Sequence, residues 1–282
     1  MIDATCYAIL MIYITGDTHN TIDMSNLSTK NMKFCCKKFN ADYHNITTAI
    51  VLGDFGLPWS ACPVDERGIH PKDKTDRYLL KWYNSKPFKV LAVMGNHENY
   101  DMIEKLPEIE MFGSKVLKVS KNIFYLKRGE VYTIEGNKFL VLGGARSQDK
   151  AYRIPHESWW PQEELSEEEK RNCFIRIKES GGSFDYVLSH NGTSQGIACL
   201  ESMEEVLKDS TVSFNDEVAC AITYRKWFFG HWHIDMDDAA CSCSKDVPLY
   251  KKGIMITSRS VFFLIQLLHL ILLLAISGLP VS

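Results

Sequence analysis

Five apolar runs in this chain each stop at an oxygen or imidazole side chain, and that recurring punctuation restricts the fold more than any other feature. The most informative run is Lys89 to Glu98, KVLAVMGNHE. Val90 to Val93 is short, apolar and partly β-branched, which predicts a buried strand, and Gly95 allows a sharp turn where the strand ends. Asn96, His97 and Glu98 then sit at the carboxyl end of a strand, where open α/β sheets gather ligand groups. MIYITGDTH (Met11 to His19) delivers Asp17 and His19, and TAIVLGD (Thr48 to Asp54) delivers Asp54. DYVLSHN (Asp185 to Asn191) delivers His190, and KWFFGHWH (Lys226 to His233) delivers His231 and His233.

A single Asp-x-His is explained by a turn with a hydrogen-bonded histidine. Five such endings in order collect two Asp carboxylates, an Asn carbonyl and several imidazoles, a mixture of hard and borderline donors that suits Mn, Fe, Zn or similar ions.

The ordered set Asp17-x-His19, Gly53-Asp54, Gly95-Asn96-His97-Glu98, His190 and Gly230-His231-x-His233 resembles the calcineurin-like metallophosphoesterase superfamily over about residues 11 to 235, in particular its bacterial metallophosphatase branch. The resemblance implies a four-layer αββα sandwich of two mixed β-sheets flanked by helices, with two divalent or mixed-valence metal ions at the strand ends. It implies that Asp17, His19 and His233 bind one ion, that Asn96, His190 and His231 bind the other, and that Asp54 bridges them. After His190 the small-residue and proline context of the family gives way to Asn191-Gly192-Thr193, so His190 departs most from the pattern.

Two cations about 3.5 to 4 Å apart need an anionic bridge, which a carboxylate supplies, and together they generate a water-derived nucleophile near neutral pH. No covalent Ser or Cys is then required. By the resemblance, His97 lies just outside the metals facing the substrate, where it stabilises developing charge or gives a proton to the leaving oxygen. For Glu98 two roles are open: orienting the His97 ring, or placing charge at a helix amino terminus.

A formal net charge of −3 gives no basic footprint, which disfavours nonspecific nucleic-acid binding. Nine scattered cysteines, Cys241-x-Cys243 and the adjacent Cys35 and Cys36 among them, lack a disulfide framework and read as free thiols of a cytoplasmic protein.

Along the chain, residues 1–10 read as an extension ahead of a domain spanning 11–256, with Met11 an alternative start. Asn20 to Asn45 predicts a helix that turns Phe34 and Phe39 inward, Phe55 to Lys74 a Pro/Gly-punctuated loop, and Asp76 to Tyr83 a helix. Trp59 in that loop either stacks on substrate or packs beneath the loop, the commoner arrangement. From Lys115 to Ala145, KVLKVS, IFYLKRG, VYTIEG and KFLVLGGA predict the second sheet. Arg146 and Arg153, in the GGARSQDKAYR stretch after it, offer guanidinium forks for a phosphate oxygen or leaving group, with a structural ion pair as the alternative. Trp159 and Trp160 form a lid or core. Ser166 and Glu169 form a capping box for a helix through Ile177, and the five glutamates around it (163, 164, 167, 168, 169) read as dipole-favouring, solvated charge. His44, His70, His156 and His269 carry no motif.

PLYKKGIMI (Pro248 to Ile256) predicts a last strand, and residues 257–282 form an unusual tail. Val261 to Ile276 as a helix would span only about 24 Å, and extension to Val281 about 31 Å across Gly278 and Pro280. A carboxyl-terminal membrane anchor, a displaced sequence and a buried helix are all open; membrane contact is confined to residues 261–281.

These readings describe a metal-dependent phosphoric ester hydrolase, with phosphomonoesters or phosphoproteins preferred as substrate. A phosphodiesterase or nuclease, and a catalytically silent scaffold that binds a protein, are the alternatives.

Overall fold

The computed structural model describes residues 10–198 and 208–233 together with the strands Ile254–Ile256 and Phe262–Leu264. The first sheet is built from β1 (Met11–Thr15), β2 (Ile46–Val51), β5 (Lys89–Ala92), β6 (Glu108–Met111), β7 (Ser114–Lys118), β8 (Ile123–Leu126) and β13 (Ile254–Ile256). Its order is β13-β1-β2-β5-β8-β7-β6, with β13 through β8 parallel and the β7 and β6 edge antiparallel. β9 (Val131–Ile134), β10 (Asn137–Val141), β11 (Ser183–Leu188), β12 (Thr223–Phe229) and β14 (Phe262–Leu264) make the second, in the order β14-β12-β11-β10-β9. A two-stranded hairpin, β3 (Val64–Asp65) and β4 (Gly68–Ile69), interrupts the long loop after β2.

Three apolar clusters show why the chain stacks in four layers. Alternate residues of one strand enter different cores, as the two-residue period of a strand requires. Ile12 and Ile14, Ile50 and Leu52, Leu91 and Val93 meet Phe139, Val141, Tyr186, Leu188 and Phe228 between the sheets. Their neighbours Met11, Tyr13, Ala49, Val51, Val90 and Ala92 face outward onto Met32, Cys35 and Cys36 of α1 (Thr29–Lys38) and Leu79 and Tyr83 of α2 (Lys74–Asn84). Beyond the short α3 (Tyr100–Ile103), the other outer core joins Leu140, Leu142, Val187, Trp227 and Phe229 to two further helices. These are α4 (Glu167–Glu179), which contributes Cys173 and Ile177, and, after the short α5 (Ser194–Ile197), α6 (Ser210–Ala221), which contributes Val212, Phe214 and Val218. Burial on both faces explains the continuous apolar runs. Each such Ile or Leu contributes about 1.5–3 kcal/mol by leaving water. The architecture is the expected αββα sandwich.

Several local expectations are corrected. The inward face of α1 is Met32, Cys35 and Cys36, an i, i+3, i+4 stripe, and Phe34 and Phe39 are exposed, because ten residues capped at Ser28 set a register that a strict count of aromatics misses. KVLKVS and IFYLKRG do not enter the second sheet: β7 and β8 extend the first, and the chain crosses between sheets at Lys127–Glu130. The IFYL run is buried throughout because β8 pairs in parallel with β5, under both the outer and the inter-sheet core. The helix expected at Asp76 begins at Lys74, where Asp73 accepts from Thr75 and Asp76 N–H groups. The capping box forms as expected.

Of the last strand expected at Pro248 to Ile256, Ile254–Ile256 pairs with β1, and within the tail Phe262–Leu264 pairs antiparallel with β12. Residues 1–9, Cys241, Cys243, His269 and the rest of the tail lie outside the described residues. Among the described residues no helix is long and apolar enough to cross a membrane. Among the described residues, Cys35, Cys36, Cys62, Cys173 and Cys220 form no disulfide.

Candidate metal centre

The parallel strands β1, β2 and β5 of one sheet and β11 and β12 of the other end on the same side of the sandwich, and their following residues converge. Asp17, His19, Asp54, Asn96, His97, His190, His231 and His233 all come together there. Asp54 is the midpoint: Oδ2 lies 3.2 Å from His19 Nε2, and Oδ1 lies 3.2 Å from His190 Nε2. Asp17 Oδ2 is 3.1 Å from His233 Nε2, and Asp17 also accepts the His231 N–H. His190 Nε2 further meets Asn96 Oδ1 at 2.9 Å and His231 Nδ1 at 3.2 Å.

Three overlapping groups have one donor atom from each member within 4.8 Å of the others: Asp17, His19 and His233; His19, Asp54 and His97; Asp54, His190 and His231. The first gathers Asp17, His19 and His233 and the third Asp54, His190 and His231; Asp54 also adjoins the first through His19, and Asn96 reaches the third through His190. A buried carboxylate facing imidazoles on both oxygens fits two cations that share it.

The backbone is bent to make this fit. Four of the seven candidate ligands, His19, Asp54, His231 and His233, have left-handed φ values of 42°, 49°, 71° and 51°. Such conformations cost about 1–3 kcal/mol each and concentrate at functional sites. Gly95 serves a different purpose from the one read in the sequence, since its φ is not left-handed. A Cβ there would fall 2.1 Å from Asp54 Oδ1, so close approach of the carboxylate is what excludes a side chain. Gly230 does the same for Asp17, whose Oδ1 would lie 2.2 Å from a Cβ.

Charge is tightly balanced. Burial disfavours ionised Asp54, yet His190 and His19 hold its pKa well below the carboxylate range. Burial lowers His190 but Asp54 and Asp17 outweigh it, raising the pKa to about 10. Burial and the neighbouring His190 push His231 down to about 4. For His19, burial is overcome by the bond to Asp54, and its pKa rises. His97 falls below its usual value through burial, against the pull of Asp54 and helped by Arg153. His190 Nδ1 contacts the Leu52 carbonyl at 2.7 Å, which directs Nε2 to the centre.

His190, the member that departs most from the family's sequence context, is fully buried at the core of the cluster. The Asn191-Gly192-Thr193 context has its own function. Asn191 Nδ2 donates to Asp209, and its Oδ1 accepts from Trp232 Nε1, tying the β11 loop to the loop that carries His231.

Arg153 is brought to the site: its two terminal nitrogens lie 3.0 and 3.2 Å from the His97 ring nitrogens, and it also donates to Asp149. Arg146 donates its main-chain N–H to Asp209 Oδ2, and no described contact joins its guanidinium to the cluster. Glu98 takes neither expected role. It is fully buried and accepts from the Phe55 and Gly56 N–H groups and the Tyr125 hydroxyl, clamping the chain just after Asp54. Burial, with Asp54 nearby, raises its pKa to about 7. Trp160 is core, whereas Trp159 is half-buried. His70 pairs with Asp65 and His156 with Asp101, away from the cluster.

Two supporting residues went unrecognised in the sequence. Ser147 Oγ accepts from Asn96 Nδ2 at 3.0 Å and donates to Glu163 Oε2 at 2.6 Å, while Ser147 N donates to Glu163 Oε1. Glu163 is thus fully buried and structural, and the reading of it as solvated charge is corrected. Its neighbours Glu167, Glu168 and Glu169 do stand in the first turn of α4. Only the break in the acidic run at Leu165-Ser166 separates Glu163 and Glu164 from them in sequence.

No curated protein matches the chain significantly. The family model for calcineurin-like phosphoesterases matches residues 10–235, from the start of β1 past the last converging histidine, and the chain therefore belongs to that family.

Proposed function

We propose that the chain hydrolyses phosphate esters with an activated water as nucleophile at a centre of two divalent ions, phosphomonoesters, phosphoproteins included, ahead of diesters. The observation that carries this reading is Asp54, whose two oxygens face His19 and His190 on opposite sides. Asp17, His19 and His233 would hold one ion, Asn96, His190 and His231 the other, and Asp54 both. Bound there, the ions supply Lewis acidity that activates water and offsets charge on the phosphoryl oxygens.

The protein's own groups do the remainder. Arg153, held beside His97 by Asp149 and the Ser158 carbonyl, would turn its guanidinium to the phosphoryl oxygens in place of part of those bonds. Burial, with the Arg153 charge adding to it, keeps His97 short of a proton in the free protein. A phosphate dianion docking on Arg153 offsets that charge, so His97 gains its proton with substrate and passes it to the leaving oxygen.

The test is hydrolysis of a chromogenic phosphomonoester and the corresponding diester, metal-free and with added Mn²⁺, beside Asp54→Ala and His97→Ala. Metal-dependent turnover that collapses in both variants supports the mechanism, and the monoester-to-diester ratio selects the substrate class. Absence of turnover under every metal condition would favour a binding scaffold.

A further inference from the structure

A cleft of about 420 Å³ opens beside the centre, from His19 and His97 towards the amino terminus of α2, and is lined further by Trp59, Ser60, Asp73 and Asp76. That volume lies within the roughly 300–1,000 Å³ of small-molecule sites and exceeds what a phosphoryl group alone requires. We infer that this cleft is the leaving-group subsite, and that it takes a flat aromatic group that is uncharged or cationic. The inference rests on the phosphoesterase reading for its orientation, since His19 and His97 line both the cleft and the ligand cluster.

Trp59 is fixed as a platform before any ligand arrives. Asn99 Nδ2 donates to its carbonyl, Asp76 accepts from its N–H at 3.4 Å and from Ser60 N–H at 2.8 Å, and the buried Trp160 ring meets the Trp59 ring edge-on with centroids 5.6 Å apart. The indole packs against the outer core and remains partly accessible where it lines the cleft. A platform already held in place stacks a ring without the ordering cost of recruiting one.

Charge narrows the class. Asp76 is buried, and Asp73 stands exposed at the α2 cap, whereas no Lys or Arg is among the lining residues. The exposed Asp73 carboxylate and an indole face repel a second anionic group and favour a cation over the ring. Polyphosphates and sugars bearing a further phosphate therefore fit poorly, and aryl or amine-bearing aryl esters fit well.

The test uses the full chain loaded with Mn²⁺ and measures the affinity of non-hydrolysable phosphonates by calorimetry. Phenylphosphonate is expected to bind about tenfold more tightly than methylphosphonate, the ring supplying the difference. Trp59→Leu should bring that ratio close to one and Trp59→Phe should keep most of it, with methylphosphonate affinity unchanged in both as the control for folding. A 4-trimethylammonio substituent should outbind a 4-carboxylate, and the gap should narrow in Asp73→Asn, which retains an acceptor for the helix cap. Equal affinity for the two unsubstituted phosphonates in the wild type, or an aryl preference that survives Trp59→Leu, would overturn the inference. Equal affinity for the two substituted rings would overturn its charge selectivity. Aryl preference without any hydrolysis of phenyl phosphate would leave an aryl-binding cleft but remove the phosphoesterase reading and with it the leaving-group role; hydrolysis without aryl preference would keep that reading and overturn the inference.

Discussion

Asn96 donates through Nδ2 to Ser147 Oγ at 3.0 Å, and this bond turns its Oδ1 towards His190 and the centre. The polarity is imposed from behind, because the Ser147 hydroxyl spends its proton on the Glu163 carboxylate and can only accept from Asn96. Ser147→Ala or Glu163→Gln frees the amide to rotate. Either change is expected to weaken occupancy of the ion held by Asn96, His190 and His231 by about 10- to 100-fold, the range for groups that orient ligands. Titration with Mn²⁺ followed by calorimetry checks this; unchanged affinity for both ions would remove the orienting role.

Glu98 should leave a pH signature on stability. Its acid is expected to titrate near the ordinary 4.5 when unfolded and at about 7 in the metal-free fold. The unfolded state therefore ionises first, and stability is lost as pH rises from 4.5 to 7 and stays lost above it, by at most about 3 kcal/mol. Glu98→Gln lacks this titration. Urea unfolding of the metal-free proteins at pH 5 and pH 8 should show the variant gaining on the wild type as pH rises, and parallel profiles would contradict it.

Arg153 adds to burial in lowering the His97 pKa. Replacing it with Gln removes a positive neighbour and favours the imidazolium, so the His97 pKa should rise. The shift is expected in the His97 ring resonances followed by NMR against pH. A fall, or no change, would show that the guanidinium does not govern this ring.

Gly95→Ala inserts a Cβ 2.1 Å from Asp54 Oδ1 and 2.4 Å from Asp54 N. Relief requires movement of the carboxylate or of the β5 loop, at a cost of about 1–3 kcal/mol. Thermal melts with and without Mn²⁺ should show both a lower Tm and a smaller metal-induced rise. A normal metal-induced rise would mean that Asp54 has room to adjust.

The sandwich and the donor side chains that converge at its strand ends were legible in the sequence because both depend on short-range pattern. Runs such as Val90 to Val93 and Ile12 to Ile14 are buried on both faces, and each ends at a donor within a few residues. What depended on distant pairing was not legible. The side of Phe34 on α1, the sheet joined by β8, and the burial of Glu163 against Ser147, sixteen residues away, are fixed by tertiary partners that spacing does not encode. Glu98 shows the same limit: it lies beside His97 in sequence, yet it bonds to Phe55, Gly56 and Tyr125.

The central claim, that Asp54 is shared by two ions, is tested most directly by counting Mn²⁺ per chain and recording the electron paramagnetic resonance spectrum of the loaded protein. The account predicts two ions with an exchange-coupled spectrum. It also predicts proton release on loading at neutral pH, since His190, with a pKa of about 10, must give up a proton to bind. Asp54→Ala should hold at most one ion, uncoupled. A wild-type protein with a single uncoupled ion, or an Asp54→Ala variant that retains a coupled pair, would contradict it.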